Sequence, residues 1–520
     1  MSLIESLRRS AARFPSAEAL VEAGVRWTYR DLLGYVERVA GHMAARGVHQ
    51  GDHVLVVLKN RRENVLTYWA CQRLGAIYTP VNWRLRSDEL RYCAQDSQSG
   101  LVIAEASLED VVTTALAALE VPIPVVWAAG NGTAEDGDTF ANWLANEVSA
   151  PEEPEINENM TAIMLYTSGT TGRPKGVPRT HRNEMSAAVA HIIQNHYVRG
   201  ERTLGVMPFY HTMGMRSLLF STFLNGSIAL TPDYNIELLA RLIPEERITA
   251  LYLVPTLFYD LVNWSGLSGL DLTSLKKIGY AGAAMTSNLT KQCFEQFQPE
   301  VFVNHLGSSE VYTFSICDWL DRKPTCAGKA GFYAEVRTVS VGEESGPPDD
   351  IAPVGTPGEI IVRLTSPEAF AGYWNRPDSD AKALREGWYY TGDVGYWDDE
   401  GDLWVYGRVD DMFVSGGENI HPFEVEDVLS KHPGVAEVAV AGRPHERWGE
   451  VVTAFVVPRR PDLTAEELDL FCQADPQLAR YKRPRQYIFV QQIPKSPVGK
   501  ILRRILRQGE YQPFSSNLTK

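Results

Sequence analysis

Between residues 28 and 82 the apolar positions switch between two periods. Leu32, Leu33, Val36, Val39, Ala40 and Met43 recur at the spacing of one helix face. Thr28 precedes them as an N-cap, with Asp31 three positions on as a weaker form of the capping box, and Gly47 can end the helix. Residues 54–58 form a short continuous apolar run, the mark of a buried strand. A second helix follows as far as Leu74 and is stopped by Gly75; residues 76–81 make the next strand.

The same alternation returns further along. Residues 162–166 read as a strand, and a helix is predicted over 182–195. Strands are predicted near 204–207, 226–231, 249–254, 277–281 and 300–305, with helical stretches between them. Strand–helix alternation implies largely parallel sheets covered on both faces, an α/β fold. From 327 to 406 Gly, Pro and Asp punctuate short strands, a β-rich subdomain. From about 410 a smaller α/β unit begins, with strands near 436–441 and 451–457 and helices near 422–431 and 464–473. The acidic stretch 129–158 reads as an exposed connection, and no internal repeat is visible.

The chain has 520 residues, more than one small core can organise, so a large domain with at least one smaller companion is expected. The net charge of -15 argues against nucleic acid or an anionic membrane as partner, because neutralising phosphates needs a basic face. Six cysteines occur without a CxxC pair, so neither a zinc site nor a disulfide framework follows, and reduced thiols in a cytoplasmic protein are expected. The first fifteen residues begin a short amphipathic helix without the apolar core of a signal peptide. No run of 18 apolar residues suggests a membrane span.

Candidate chemistry begins with YTSGTTGRPKG, from Tyr166 to Gly176, directly after a predicted strand. Gly169 and Gly172 allow close backbone approach to an anion; Thr167, Ser168, Thr170 and Thr171 offer hydroxyls, and Lys175 a charge. A Walker-type loop is excluded by Pro174, which stands before the Lys and has no N–H, and by Gly176 in place of a metal-binding Ser or Thr.

This loop resembles the phosphate loop of the adenylate-forming superfamily of acyl- and aryl-CoA synthetases, peptide-synthetase adenylation domains and firefly luciferase. Further motifs follow in that family's order: PFYHTMG from Pro208, GYAGAAM from Gly279, HLGSSE from His305, YTGD from Tyr390, GRVDDMFVSGGENIHPFEVE from Gly407 and PKSPVGKILRR from Pro494. SGGENIHPFEVE, ERWGE and YKRPRQY are most similar to benzoate-type aryl-CoA ligases such as the 4-chlorobenzoate ligases.

The resemblance implies a large N-terminal AMP- and acyl-binding domain of stacked mixed and parallel sheets, residues 1–408, and a small mobile C-terminal α+β domain, residues 409–520. It implies ATP, magnesium and coenzyme A as cofactors and a small carboxylic acid as substrate. Glu310 matches the magnesium-binding residue, with Ser309 where Thr is usual. Ala281, Gly282, Ala283, His305 and Gly307 match nucleotide contacts, Asp393 and Arg408 the ribose contacts. Lys500 matches the Lys that bridges the carboxylate and the α-phosphate, His211 a further catalytic position, and Asp410 the hinge between the two half-reactions. Gly416 and Gly417 match the hairpin lining the pantetheine tunnel; Trp448, Tyr481, Arg483 and Arg485 match contacts to the CoA nucleotide.

For the acyl pocket the resemblance points to Ala190, His211, Thr212, Met213, Tyr252, Ala281, His305, Gly307, Tyr312 and Thr313. Tyr252 and Tyr312 are expected as aromatic walls fitting a ring of benzoate size. His305 either faces that ring or packs behind its strand. Two alternatives stay open: an aryl-adenylating enzyme that loads a carrier protein, and a non-catalytic nucleotide-binding module. The sequence is compatible with a homodimer.

Overall fold

A computed structural model describes residues 1–128, 139–167, 173–341, 345–476, 478–496 and 501–514. Its first sheet has six strands in the order Val125–Ala128, Leu101–Glu105, His53–Val57, Ile77–Pro80, Thr161–Thr167, Lys175–Thr180. All neighbours are parallel except the last pair, an antiparallel hairpin. A second sheet of nine strands has a parallel centre: Val301–Leu306, Lys277–Ala281, Ala250–Leu253, Arg202–Gly205, Ser227–Leu230 and Glu18–Glu22.

One apolar cluster holds residues of both sheets together with helices Leu3–Arg13, Tyr29–Ala45, Arg62–Leu74, His181–Gln194 and Thr212–Phe223. Those helices are the filling between two sheets, which explains why Arg62–Leu74 is buried on every side after its first residue and shows no clean amphipathic stripe. The helix Tyr29–Ala45 starts on a complete capping box: Asp31 accepts from Thr28 N at 2.9 Å, and Asp31 N donates to Thr28 Oγ1 at 3.2 Å.

A third, five-stranded sheet holds Val336–Val339, Gly358–Arg363, Leu384–Arg385, Trp388–Trp397 and Leu403–Arg408. A fourth, Phe413–Ser415, Glu418–Ile420, Val435–His445, Gly449–Pro458 and Gln486–Phe489, packs two apolar clusters of its own with helices Pro422–Ser430, Ala465–Ala474 and Arg503–Gln508.

The reading of 129–158 as an exposed connection needs correction. Helix Phe140–Ala145 buries Phe140 and Trp143 in the main cluster, because Trp143 stacks on His42 with centroids 5.4 Å apart. All six cysteines are free and buried. Among the described residues no helix is long and apolar enough to cross a membrane.

Candidate active site

The glycine- and hydroxyl-rich loop joins the two strands of the antiparallel hairpin, where Thr167 pairs with Lys175. Ser168, Gly169, Thr170, Thr171 and Gly172 lie outside the described residues. Lys175 is half-buried, its ammonium 4.8 Å from the centre of the Tyr373 ring. Burial and then Arg376 hold its pKa below the usual Lys value, opposed by Glu310. Gly176 is explained by a crossing strand of chain: a Cβ there would meet Met164 Sδ at 2.9 Å and Trp374 Cβ at 3.0 Å, and Gly176 O accepts from Trp374 N at 2.9 Å.

Glu310 sits on a tight return after strand Val301–Leu306. Gly307 makes the return fit, since a Cβ would come within 1.8 Å of Tyr312 O. Ser308 Oγ accepts from Glu310 N at 3.1 Å and Val311 N at 3.2 Å. Ser309 is half-buried, and its carbonyl accepts from Arg179 Nη1 at 3.2 Å. The same nitrogen donates to Glu310 O at 3.1 Å and Glu368 O at 2.7 Å. The Glu310 carboxylate accepts from Tyr373 Oη at 2.7 Å and forms no ion pair within 4.0 Å with a described residue.

No described cluster of three His, Cys, Asp or Glu could hold a metal with protein ligands alone. A single carboxylate without a cationic partner, across from a phosphate-loop lysine, suits magnesium shared with substrate phosphates, because that ion keeps few protein ligands.

Asp393 and Arg408 pair directly across adjacent antiparallel strands, with Arg408 Nη1 3.1 Å from Asp393 Oδ1 and 2.7 Å from Thr391 O. Gly392 permits this: its φ is 73°, and a Cβ would lie 2.6 Å from Arg408 Nη2. The guanidinium thereby holds one carboxylate oxygen, and the other can accept from a diol hydroxyl. Ala281 ends strand Lys277–Ala281 in register with His305; exposed Gly282 and half-buried Ala283 follow it.

Among the acyl-pocket candidates, His211 is the N-cap of helix Thr212–Phe223, half-buried with Thr212, while Met213 is buried in the second cluster. A Cβ on Gly282 would approach Met213 Sδ at 3.8 Å, so these two adjoin. Ala190 and Thr313 are buried. Tyr252 stands edge-on to His191 at 4.6 Å and to His305 at 5.3 Å. His305 Nε2 meets Asn195 Oδ1 at 3.1 Å, and the Asn195 amide meets His191 Nδ1 at 3.1 Å. Burial lowers the His305 pKa to about 3, so the ring is neutral. Of the two expectations for His305, the ring is engaged with the helix His181–Gln194 through Asn195, while its Nδ1 has no hydrogen-bond partner.

The expectation for Tyr312 needs correction. Its ring makes no ring contact with Tyr252 among the described residues and instead lies against the guanidinium carbons of Arg179 and Arg216, 3.7 Å and 4.3 Å from its centre. Glu184, fully buried, holds both arginines, at 2.9 Å and 2.5 Å. Cation–π attraction to two guanidiniums fixes Tyr312 in this charged block. Glu368 lies against the same block, and burial raises its carboxyl pKa to about 7.

In the C-terminal part, Asp410 falls in the 3-10 turn Val409–Asp411, immediately after strand Leu403–Arg408. Lys500 lies outside the described residues. Gly416 and Gly417, at φ 62° and 90°, are the two-residue turn between strands Phe413–Ser415 and Glu418–Ile420. Gly416 N donates to Trp448 O at 3.0 Å, and a Cβ there would strike Trp448 Cε3 at 2.7 Å. Arg485 and Arg447 lie 5.3 Å and 4.8 Å from the indole centre. Arg447 escaped the sequence reading although it precedes Trp448. Tyr481 is exposed beside Lys482, and half-buried Arg483 meets the Arg480 carbonyl at 3.5 Å, so no hydrogen bond or ring contact joins either one to Trp448 among the described residues.

Comparison with known proteins matches residues 7–374 to the AMP-binding enzyme family and residues 424–500 to the AMP-binding enzyme C-terminal domain. A 4-chlorobenzoate–CoA ligase of Arthrobacter sp is 34% identical over 505 residues, 96% of this chain and 93% of that one. A long-chain-fatty-acid–CoA ligase of Mycobacterium tuberculosis is 31% identical, covering 96% and 97%. The o-succinylbenzoate CoA synthetase of Bacillus subtilis, solved with its acyl-adenylate intermediate, is similar with a TM-score of 0.83, 27% identity and coverage of 96% and 97%.

Proposed function

The chain belongs to the AMP-binding enzyme family, and on that premise we propose that it is an ATP-dependent acid:CoA ligase for a small aromatic or heteroaromatic carboxylate. One observation carries the reading: Glu310, Tyr373 and Lys175 of the phosphate hairpin converge at hydrogen-bond and cation–π distance. In the first half-reaction a carboxylate oxygen attacks the α-phosphorus of ATP, and the bond to pyrophosphate breaks. Two anions must meet, so positive charge placed between them is the main catalytic need. Lys175 and the hairpin loop would hold the phosphates, Asp393 and Arg408 the ribose, and Lys500 would bridge carboxylate and α-phosphate. Glu310 would hold magnesium, which supplies neutralisation of phosphate charge when bound.

In the second half-reaction the CoA sulfur attacks the acyl carbon, AMP leaves and the thiol proton is lost. We assign residues 1–408 and 409–520 to two domains, with Asp410 as the hinge between the two steps. Arg447 and Arg485 around Trp448 offer forked donors and an aromatic plane to the CoA nucleotide, and Arg483 and Tyr481 are assigned to the same site by resemblance. That basic, aromatic patch favours CoA over a carrier protein, which presents no nucleotide. The partners are small molecules, without nucleic acid or membrane. The charge of -15 and six buried reduced thiols fit the cytoplasm, and a homodimer is compatible with both.

The aromatic preference rests on the resemblance to aryl-CoA ligases and on Tyr252, whose ring contacts those of His191 and His305. The test is CoA-dependent AMP release across a panel of aromatic, short aliphatic and long-chain acids. Turnover led by an aryl acid supports the reading. Turnover led by a long-chain fatty acid, as the name of the mycobacterial relative suggests for that protein, sinks the substrate class and leaves the ligase standing. AMP release indifferent to CoA favours the carrier-loading alternative.

A further inference from the structure

We propose that Tyr373 is a positioning residue for the Glu310 carboxylate; the inference rests on the reading of Glu310 as the magnesium ligand. Tyr373 lies on no regular element, yet its backbone and ring are both held. Its backbone N donates to Asp380 Oδ1 at 2.8 Å, and its ring stands edge-on to Phe370 at 5.0 Å. Before it, Phe370 N donates to Glu310 O at 2.9 Å. After it, Trp374 N donates to Gly176 O at 2.9 Å and Trp374 Nε1 to Asp96 O at 2.8 Å. The segment thus crosses from the Glu310 turn to the phosphate hairpin, and Tyr373 is where the two meet.

The chemistry follows from that crossing. Tyr373 Oη donates to Glu310 Oε1 at 2.7 Å, and Lys175 Nζ lies 4.8 Å from the ring centre. A lone carboxylate rotates freely and can present either oxygen. Tyr373 occupies Oε1 and leaves the other oxygen for a cation. Arg179 fixes the backbone at this turn through the carbonyls of Ser309 and Glu310, at 3.2 Å and 3.1 Å. The carboxylate is therefore held at both ends, by Arg179 through its backbone and by Tyr373 at its tip. Hydrogen-bond partners of metal-binding carboxylates commonly set affinity by roughly 10–100-fold.

The test compares the intact protein with Tyr373→Phe and Glu310→Gln by calorimetric titration with the α,β-methylene analogue of ATP, with and without Mg2+. Tyr373→Phe keeps the ring over Lys175 and removes only the hydroxyl. The expected result is unchanged metal-free affinity and a loss of roughly 10-fold in the tightening that Mg2+ produces. The double variant should lose no more than Glu310→Gln alone. A Mg2+ response equal to that of the parent, or a lower Tm as the sole effect, overturns the proposal, as does an equal loss with and without metal. If Glu310→Gln itself keeps the parent's Mg2+ response, the metal reading fails; if it loses that response and Tyr373→Phe does not, only the positioning role fails.

Discussion

Arg503 Nη1 lies 3.2 Å from Asp411 Oδ2, which ties the helix just beyond Lys500 to the turn that contains Asp410. The same guanidinium is bidentate to Glu426, at 2.7 Å and 2.8 Å. Its side chain is mostly buried, and that of Glu426 almost wholly so. Removing one partner of a buried pair strands the other, so Arg503→Met should destabilise the C-terminal part by about 3–5 kcal/mol. Asp411 is a third exposed, and Asp411→Asn should cost no more than about 1 kcal/mol. Urea unfolding of the two variants checks the contrast, and equal losses would show that Arg503 is held mainly by Asp411.

Lys500→Ala should cripple adenylate formation and spare thioester formation from supplied acyl-adenylate. A single cation serving only the first step motivates the split. The expected first-step loss is on the order of 100-fold or more. Pyrophosphate exchange and single-turnover thioesterification measure the two steps separately; equal losses in both would falsify the assignment.

His305→Leu should shift the ranking of acids toward apolar rings. The neutral ring of His305 carries an unpartnered Nδ1 beside Tyr252, and leucine removes both nitrogens. It also leaves the Asn195 carbonyl without its partner, at a stability cost of about 1–3 kcal/mol. Comparing kcat/KM for phenyl and hydroxyphenyl acids decides the matter. A lower Tm with the ranking intact would mean that His305 serves packing alone.

Acid should weaken the fold through buried neutral histidines. Burial lowers His53, His181 and His421 to about 4 and His305 to about 3, below the ordinary value near 6.5 of the unfolded chain. Between about 4 and 6.5 the unfolded state binds more protons, so stability rises with pH across that window and is lost as pH falls through it. Above about 6.5 these groups contribute no further slope. Urea midpoints from pH 4 to 8 should show this dependence, and His53→Gln should flatten part of it. A midpoint constant between pH 5 and 7 would contradict it.

Local signals in the sequence were enough for the elements whose causes are local. The Thr28–Asp31 box, the Gly75 stop and the alternating strands and helices from 53 to 80 and from 202 to 306 each reflect neighbours in the chain. Strands Glu18–Glu22 and Leu101–Glu105 went unread because sheet partners distant in sequence define them. The positions of Glu310, Asp393 and Arg408 were readable through motif resemblance, and no periodicity pointed to them. Tyr373, Arg179 and His191 gave no signal. Their contacts arise where distant segments meet: Tyr373 with Glu310, 63 residues apart, Arg179 with Glu310, 131 apart, and His191 with His305, 114 apart. The surroundings of Tyr312 gave no signal either, because the two arginines against its ring come from different elements.

The burial of all six thiols makes the protein ready for fluorescent labelling without first removing native cysteines. Maleimide dyes attack thiolates, and burial raises Cys472 to about 11 and Cys93 to about 12, with Cys71 and Cys293 also pushed upward. Val121 and Leu470 are 73% and 65% exposed, one on each side of the turn at Asp410. A Val121→Cys, Leu470→Cys pair would take donor and acceptor dyes against a silent background. Energy transfer between them would then test the proposed hinge through single turnovers, as ATP, acid and CoA are added in sequence.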